Sequence, residues 1–321
     1  MQLPPPLRNA VEDEAARHSL PLLIQAAADL SERYRNPQSP PERLMITEAH
    51  RAAYIATRMP ATYAALHRVF GETARRVTPL SLHSLLDLGA GPGTAAWAAA
   101  EIFPELREIT QIERDPALIR LGKSLVREGA REALRTAVWR QEELAQRTAL
   151  PEADLVVCSY TLNELGPTAA KQVVRRAWTA ARHALALVEP GTMSGFSLLR
   201  ELRGELLALG ARIVAPCPHQ ETCPMPEGDW CHFAARCERT ALHRRLKAGA
   251  LGYEDEKFSY LVAVTPPAEP AEARILRRPA AHPGFVKLEL CTPDGLRKKT
   301  ITRGDKAHWK QARKAEWGDA W

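Results

Sequence analysis

A short apolar run, Leu85-Leu86-Asp87-Leu88, leads straight into the turn Gly89-Ala90-Gly91-Pro92-Gly93 and then into an alanine-rich stretch from Thr94. Few folds accept that order. The apolar run has strand length. Glycines at 89, 91 and 93 let the backbone bend tightly and approach a ligand with no Cβ in between. The stretch through Ala95, Trp97, Ala98 and Ala99 reads as a helix whose N-terminal amides aim into the turn.

Two cofactor classes use such a turn. A dinucleotide site wants G-x-G-x-x-G, with pyrophosphate on the helix end. Here the third glycine comes one residue early, and Asp87 stands two residues before the first. That spacing resembles the D-x-G-x-G-x-G turn of S-adenosylmethionine-dependent methyltransferases. The resemblance implies that Asp87 helps hold the cationic amino group of the methionine part, against Gly89, Gly91 and Gly93. A second acid is then expected at the end of the next strand, to grip the ribose hydroxyls. Glu113, in Ile109-Thr110-Gln111-Ile112-Glu113, stands there. A carboxylate accepting from hydroxyls makes a directional, charge-assisted contact.

From about 81 to 200 the pattern alternates strand and helix, with strands expected at 84–88, 109–113, 154–159 and 184–188. This predicts a doubly wound, Rossmann-like α/β sheet, whose ligands bind beyond the carboxyl ends of the strands. The fourth strand runs into Tyr160-Thr161-Leu162-Asn163-Glu164, where methyltransferases usually place acceptor-side residues. Asn163 and Glu164 are the candidate catalytic acceptors there. Neither a D/N-P-P-Y/F tetrapeptide nor a Pro-Cys pair follows that strand. Cys158, inside the apolar run, reads as a small core residue.

Before this region, 8–35 and 47–77 read as helical, with a loop at Asn36–Pro41 and a restart at Pro60. After it the rhythm stops. Residues 214–240 are rich in proline and cysteine and offer little for a core. Four of the six cysteines, Cys217, Cys223, Cys231 and Cys237, fall there. In a cytosolic chain such clustering points to metal rather than disulfides. Thiolates would close a zinc site or hold an iron–sulfur cluster and supply the missing stability. The spacing matches neither a C-x2-C zinc knuckle nor a ferredoxin run. It leaves the fourth ligand open among Cys237, His219, His232 and Cys291. Further on, 258–264 reads as a late strand and Pro266, Pro267 and Pro270 as a linker. Phe285–Cys291 and Arg297–Thr302 flank Thr292-Pro293-Asp294-Gly295, which predicts a hairpin. The domain boundaries expected are 1–80 (helical), 81–213 (α/β), 214–253 (cysteine-rich insert) and 254–321 (late strands and basic hairpin with helix).

The net charge of +6 is local: residues 271–321 hold twelve Lys or Arg against six Asp or Glu, so the rest of the chain balances. A basic segment interleaved with Trp309 and Trp317 suits nucleic acid, since cations pair with phosphates and indoles stack on bases. No apolar run approaches the about 20 residues that cross a bilayer. The N-terminus has no basic-then-apolar leader. The expectation is a cytoplasmic, monomeric, bacterial protein.

Taken together, these residues resemble the ribosomal small-subunit methyltransferase-like family, whose mitochondrial members act in assembly of the mitoribosomal small subunit. The likeness rests on the Asp87–Thr94 turn, Ser159–Gly166, Glu189–Thr192, Cys217-Pro218-His219, Cys223-Pro224, Trp230-Cys231-His232-Phe233, Glu254–Tyr260 and Cys291-Thr292-Pro293. It implies a class I S-adenosylmethionine methyltransferase fold, a [4Fe–4S] cluster and association with small-subunit ribosomal RNA. The ligands it implies are Cys217, Cys223, Cys231 and Cys291, which leaves Cys237 as an extra thiol. Zinc is the rival metal. The activity expected is methyl transfer to, or binding of, that RNA. The alternative is a non-catalytic assembly factor that uses both cofactors structurally.

Overall fold

Proline sets the punctuation of the N-terminal helices. In the computed structural model, the stretch read as one helix over 8–35 is two, α1 (Pro5–Ala15) and α2 (Leu20–Arg35). Pro21 accounts for the break. Inside a continuous helix it lacks an N–H and its ring clashes with the preceding turn, whereas the start of a new helix requires neither. Pro60 repeats this as the second residue of α4 (Met59–Arg76), which follows α3 (Glu48–Thr57). Thr47 caps α3 by accepting from the His50 N–H. The structure describes residues 1–35, 45–77, 81–146, 149–265 and 268–321. The loop expected at 36–41, and Pro266 and Pro267 of the expected linker, lie outside the described residues.

The chain then continues as β1 (Ser84–Leu88), α5 (Thr94–Ile102), β2 (Glu108–Glu113), α6 (Pro116–Leu125), α7 (Glu132–Arg135), β3 (Val138–Gln141), β4 (Ala153–Ser159), α8 (Leu162–Leu165), α9 (Pro167–Ala180), β5 (Ala181–Pro190), α10 (Met193–Ala208) and β6 (Arg212–Ala215). After an irregular stretch come β7 (Phe233–Glu238), α11 (Ala241–Leu246), β8 (Tyr253–Val264), β9 (Arg274–Ile275), β10 (Ala280–His282), β11 (Phe285–Thr292), β12 (Gly295–Thr302) and α12 (Lys306–Ala312). No helix among the described residues is long and apolar enough to cross a membrane.

Two compact units result. The first comprises Met1–Phe70, Ser81–Thr148 and Ala235–Glu256. Its strands β1, β2 and β3 are parallel, with Leu85 opposite Ile109 and Ile112 opposite Arg140. β1 is buried along its whole length, and α5 buries Thr94 through Ala100. A helix that is apolar on every side belongs in a core. Asp115 caps α6 by accepting from the Ala117 N–H at 2.7 Å, with Pro116 at the first helical position.

The second unit comprises Gly71–Leu80, Ala149–Ala234 and Lys257–Trp321. β4 and β5 are parallel, and β8 runs antiparallel between β5 and β6. These parallel βα repeats with one reversed strand are the expected Rossmann-like α/β fold of the class I methyltransferases. β8 begins five residues before the strand expected at 258–264. Its first half alternates exposed and half-buried residues, and its second half, Phe258–Val264, is buried throughout. The expected hairpin is present as β11 and β12, paired from Phe285↔Thr302 to Thr292↔Gly295. Its inner side packs Val286, Leu288, Leu290 and Ile301 with Ile275 and Ala312, against Trp309 and Trp321.

Arg274 on β9 ties this unit together. It is fully buried. Its Nε donates to the Pro216 carbonyl at 3.0 Å and its Nη1 to the Gly318 carbonyl at 2.9 Å. Its Nη2 makes an ionic contact with Glu72 Oε2 at 2.8 Å. Removing one member of a buried pair leaves the other uncompensated, at a cost of roughly 3–5 kcal/mol. Arg274→Met should therefore lower the unfolding free energy by about that amount in denaturant titrations. Adding Glu72→Gln should recover part of the loss, and a near-neutral single variant would contradict the assignment.

Candidate functional site

The glycine turn closes by backbone contacts. The amides of Gly89 and Ala90 both donate to the Ile112 carbonyl, at 2.9 and 3.0 Å, and lock β1's exit to β2. Gly93, with φ of +84°, is the left-handed cap of α5. A Cβ there would sit 2.6 Å from Gln111 Oε1 and 3.5 Å from the Trp139 ring. At Gly91 nothing lies within 4 Å of such a position, so the crest of the turn is open.

The two acids expected around this turn are both at it, in unlike settings. Glu113 is the last residue of β2. Its Oε2 accepts from the Gly91 amide at 2.8 Å and its Oε1 from the Asp115 amide at 2.9 Å. Asp87 has no exposed surface, and neither of its carboxylate oxygens has a hydrogen-bond partner. Burial, and then the charge of Glu113, pushes its pKa up to about 8. Trp139 was not singled out from sequence, because β3 has only one half-buried residue in Val138–Gln141. Its indole lies against Gly93 and Gly122. A Cβ at Gly122 would come within 2.5 Å of the ring, so glycine there makes room for it.

Asn163 and Glu164, in the one-turn helix α8 of the second unit, are exposed. What holds their turn is Glu189, at the buried end of β5. Its Oε1 accepts from the Leu162 amide at 2.9 Å. Burial raises its pKa to about 8, against the amides of Leu162, Asn163 and Thr161. Tyr160, between β4 and this turn, has φ of 56°, which is strained for a bulky side chain. Its amide donates to the Val188 carbonyl at 2.7 Å. An acid ending an otherwise apolar strand was the signal in the sequence for Glu189.

Cys217, Cys223, Cys231 and Cys291 line one cavity of the second unit, of about 40 Å³, together with His219, Phe196, Met225 and Leu276. Cys217, Cys223 and Cys231 come from the irregular stretch before β7, and Cys291 comes from β11. Cys291 Sγ is 3.6 Å from His219 Nε2. Burial, and then the neighbouring Cys217, Cys223 and Cys291, holds the Cys231 thiol well above its usual range. Burial, and then Cys217 and Cys223, pushes Cys291 up to about 12. These are soft donors that burial keeps neutral, and a bound metal would supply the positive charge that ionises them. Among the described residues, no group of three or more His, Cys, Asp or Glu side chains is gathered as for a single metal ion. Cys237 is elsewhere, on β7 in the first unit, 3.8 Å from Glu254 Oε1. Glu254 also binds Arg239 and Lys247. Cys158 is a fully buried residue of β4.

On β12, Arg297, Lys298 and Lys299 are exposed. They border a cavity of about 590 Å³ with His308 and Trp321. Lys299 Nζ lies 5.8 Å from the Trp321 ring centre and the Arg313 guanidinium 6.0 Å from that of Trp309. Trp317 faces differently, edge-on to His232 at 4.9 Å, and His232 stacks on Trp230 at 5.1 Å.

A family model described as "Mitochondrial small ribosomal subunit Rsm22" matches residues 48–321. The chain is 30% identical over 296 residues to the human protein "Ribosome assembly protein METTL17, mitochondrial", covering 87% of this chain and 64% of that one. It is 26% identical over 331 residues to "Rsm22-cox11 tandem protein 2, mitochondrial" of Schizosaccharomyces pombe, covering 85% and 43%. The chain thus spans less than two thirds of either relative. Solved structures with a similar trace include the glycopeptide N-methyltransferase MtfA with S-adenosyl-L-homocysteine, at 14% identity and TM-score 0.42, covering 64% of this chain and 90% of that one. Another is the putative RNA methyltransferase PH1948 from Pyrococcus horikoshii, at 10% identity and TM-score 0.39, covering 75% and 96%.

The setting of Asp87 has a measurable consequence in the free chain. Its folded-state pKa of about 8 lies above the usual carboxylate value, so the folded state holds its proton longer than the unfolded state. Stability is then lost as pH rises from the unfolded pKa towards the folded one. Asp87→Asn removes this term. Its thermal midpoint relative to the parent should climb from pH 5 to pH 8 and level off above. A difference that stays constant across that range would show that Asp87 does not titrate there.

Proposed function

The chain belongs to the mitochondrial small ribosomal subunit Rsm22 family, and on that premise we propose that it is an S-adenosylmethionine-dependent, methyltransferase-like protein that binds or acts on small-subunit ribosomal RNA in ribosome assembly or translation. The cytoplasm is the compartment proposed, and the working form a monomer. The observation that carries the cofactor reading is Asp87, an acid buried beside an open glycine turn with both oxygens unpartnered. A cationic amino group is the partner that would return it to the ionised form. Glu113 orders the turn through Gly91, and each of its oxygens keeps a second lone pair for a ribose hydroxyl. When bound, S-adenosylmethionine would supply an activated methyl group. The chain's contribution would be alignment of the acceptor, the largest rate term open to such a site. Asn163 and Glu164 are the proposed acceptor-side residues, on the turn that Glu189 holds.

Cys217, Cys223, Cys231 and Cys291 are proposed to hold a [4Fe–4S] cluster. The convergence of four thiols on one cavity supports this. Cys291 pairs with Leu296 across the hairpin, one residue from Arg297. A cluster there would fix the basic strand in place. Arg297, Lys298, Lys299 and Trp321 are the proposed contacts to RNA phosphates and bases.

The exposure of Asn163 and Glu164 favours a second reading, a non-catalytic RNA-binding assembly factor. A proton acceptor in open water gains little from its position. Purified chain, small ribosomal subunits and methyl-labelled cofactor distinguish the two. Transfer of label that Asp87→Asn abolishes establishes catalysis. No transfer, with subunit binding that still requires cofactor, establishes the structural role. In either case affinity for S-adenosylmethionine should rise as pH goes from 6 to about 8, because Asp87 must lose its proton to pair with a cation. A flat profile would remove Asp87 from the site. An anaerobic preparation should be brown and contain iron and sulfide. A colourless chain carrying one zinc would replace the cluster.

A further inference from the structure

Two arginines reach the cavity lined by the four thiols from inside the second unit, and their charges are met differently. Arg274 has Glu72. Arg203, on α10, is 5% exposed. Its Nη2 donates to the His219 carbonyl at 2.8 Å, and its Nε has no partner. Among the described residues, no carboxylate is ion-paired with it. The other cations nearby do not share this condition. Arg277 pairs with Asp229, and Arg200 on the cavity rim is exposed.

An arginine does not shed its proton in a protein. A guanidinium held away from water costs several kcal/mol unless an anion compensates it. The four thiols line the same cavity as Arg203. With its Nε unpartnered and no carboxylate paired to it among the described residues, the protein alone leaves Arg203 uncompensated. Four thiolates around an inorganic core would change that, because their charge exceeds that of the core and a net negative charge remains on the centre.

We propose that Arg203 is the built-in counter-charge of the four-thiolate site, retaining a bound metal–sulfur centre and raising its reduction potential. This rests on the cluster reading given above. The direction follows from charge. One-electron reduction makes the centre more negative, so a fixed neighbouring cation stabilises the reduced form more than the oxidised one.

The test uses the full chain prepared anaerobically as the parent, Arg203→Gln, Arg203→Met and Arg200→Met. Gln keeps an amide donor for the His219 carbonyl while removing the charge, so it separates counter-charge from hydrogen bond. Arg200→Met removes an equal charge from the exposed rim. Iron and sulfide content, the midpoint potential and the rate of iron loss to a chelator are measured, with far-UV circular dichroism as the check on folding. The Gln and Met variants should show a more negative midpoint and several-fold faster iron loss, and Arg200→Met should match the parent. If the Met variant does not fold, the Gln variant carries the comparison. A folded, iron-loaded Gln variant with parental potential and parental retention overturns the role of Arg203. A parent without an iron–sulfur centre overturns the cluster reading instead. If that parent holds zinc, chelator extraction decides the matter: faster loss from the Gln variant supports the counter-charge, and equal rates refute it.

Discussion

The site in the second unit depends on how Arg274 satisfies its donors. One side chain bonds the carbonyl of Pro216, just before Cys217, and the carbonyl of Gly318 near the end of the chain. From β9 it also stands in register with Cys291 on β11. It therefore determines where two of the four thiols can be, although they are far apart in sequence. An irregular segment rich in proline and cysteine cannot arrange this alone, since ordering it costs backbone entropy that few apolar contacts return. A buried guanidinium has five donors to place, and leaving them unmet is expensive.

Burial also separates groups that the chain has paired from groups it has not. Glu189, near the end of β5, is buried and is met by backbone amides of the turn after β4, so its role is to shape that turn. Asp87, the penultimate residue of β1, lies in a comparable interior and receives no amide at all. Glu113, the last residue of β2, braces the same turn with one amide on each oxygen and keeps a second lone pair on each. Two acids at one turn thus divide the work: one braces the loop, and the other is left wholly for what enters it. Arg203 is the cationic counterpart in the other unit.

Much of this was legible in the residues, and the reasons are physical. Leu85, Leu86 and Leu88 form an apolar run that only a buried strand explains, and three glycines mark the bend after it. Glu113 could be placed because the next strand ends there. The hairpin could be placed because Pro293-Asp294-Gly295 is turn chemistry between two alternating runs. The misses share one cause. β3 and the outer half of β8 carry charged residues towards solvent, so their apolar content falls below what marks a strand. A single helix over 8–35 overlooks Pro21, whose place as the second residue of α2 marks a new start. Arg203 and Arg274 look like surface residues in a list of letters. Only tertiary packing buries them, and no local spacing announces that.

The connection between β11 and β12 is two residues long, with Thr292 facing Gly295. Side chains along a strand alternate between faces, so the hairpin works as a length gauge. One added residue at its tip would turn every position of one strand over. Leu288 and Leu290 would then lose their matched neighbours, and Cys291 would no longer stand across from Leu296. A chain of this kind can drift in sequence at the exposed lysines, whereas at the tip it can accept substitutions but not insertions.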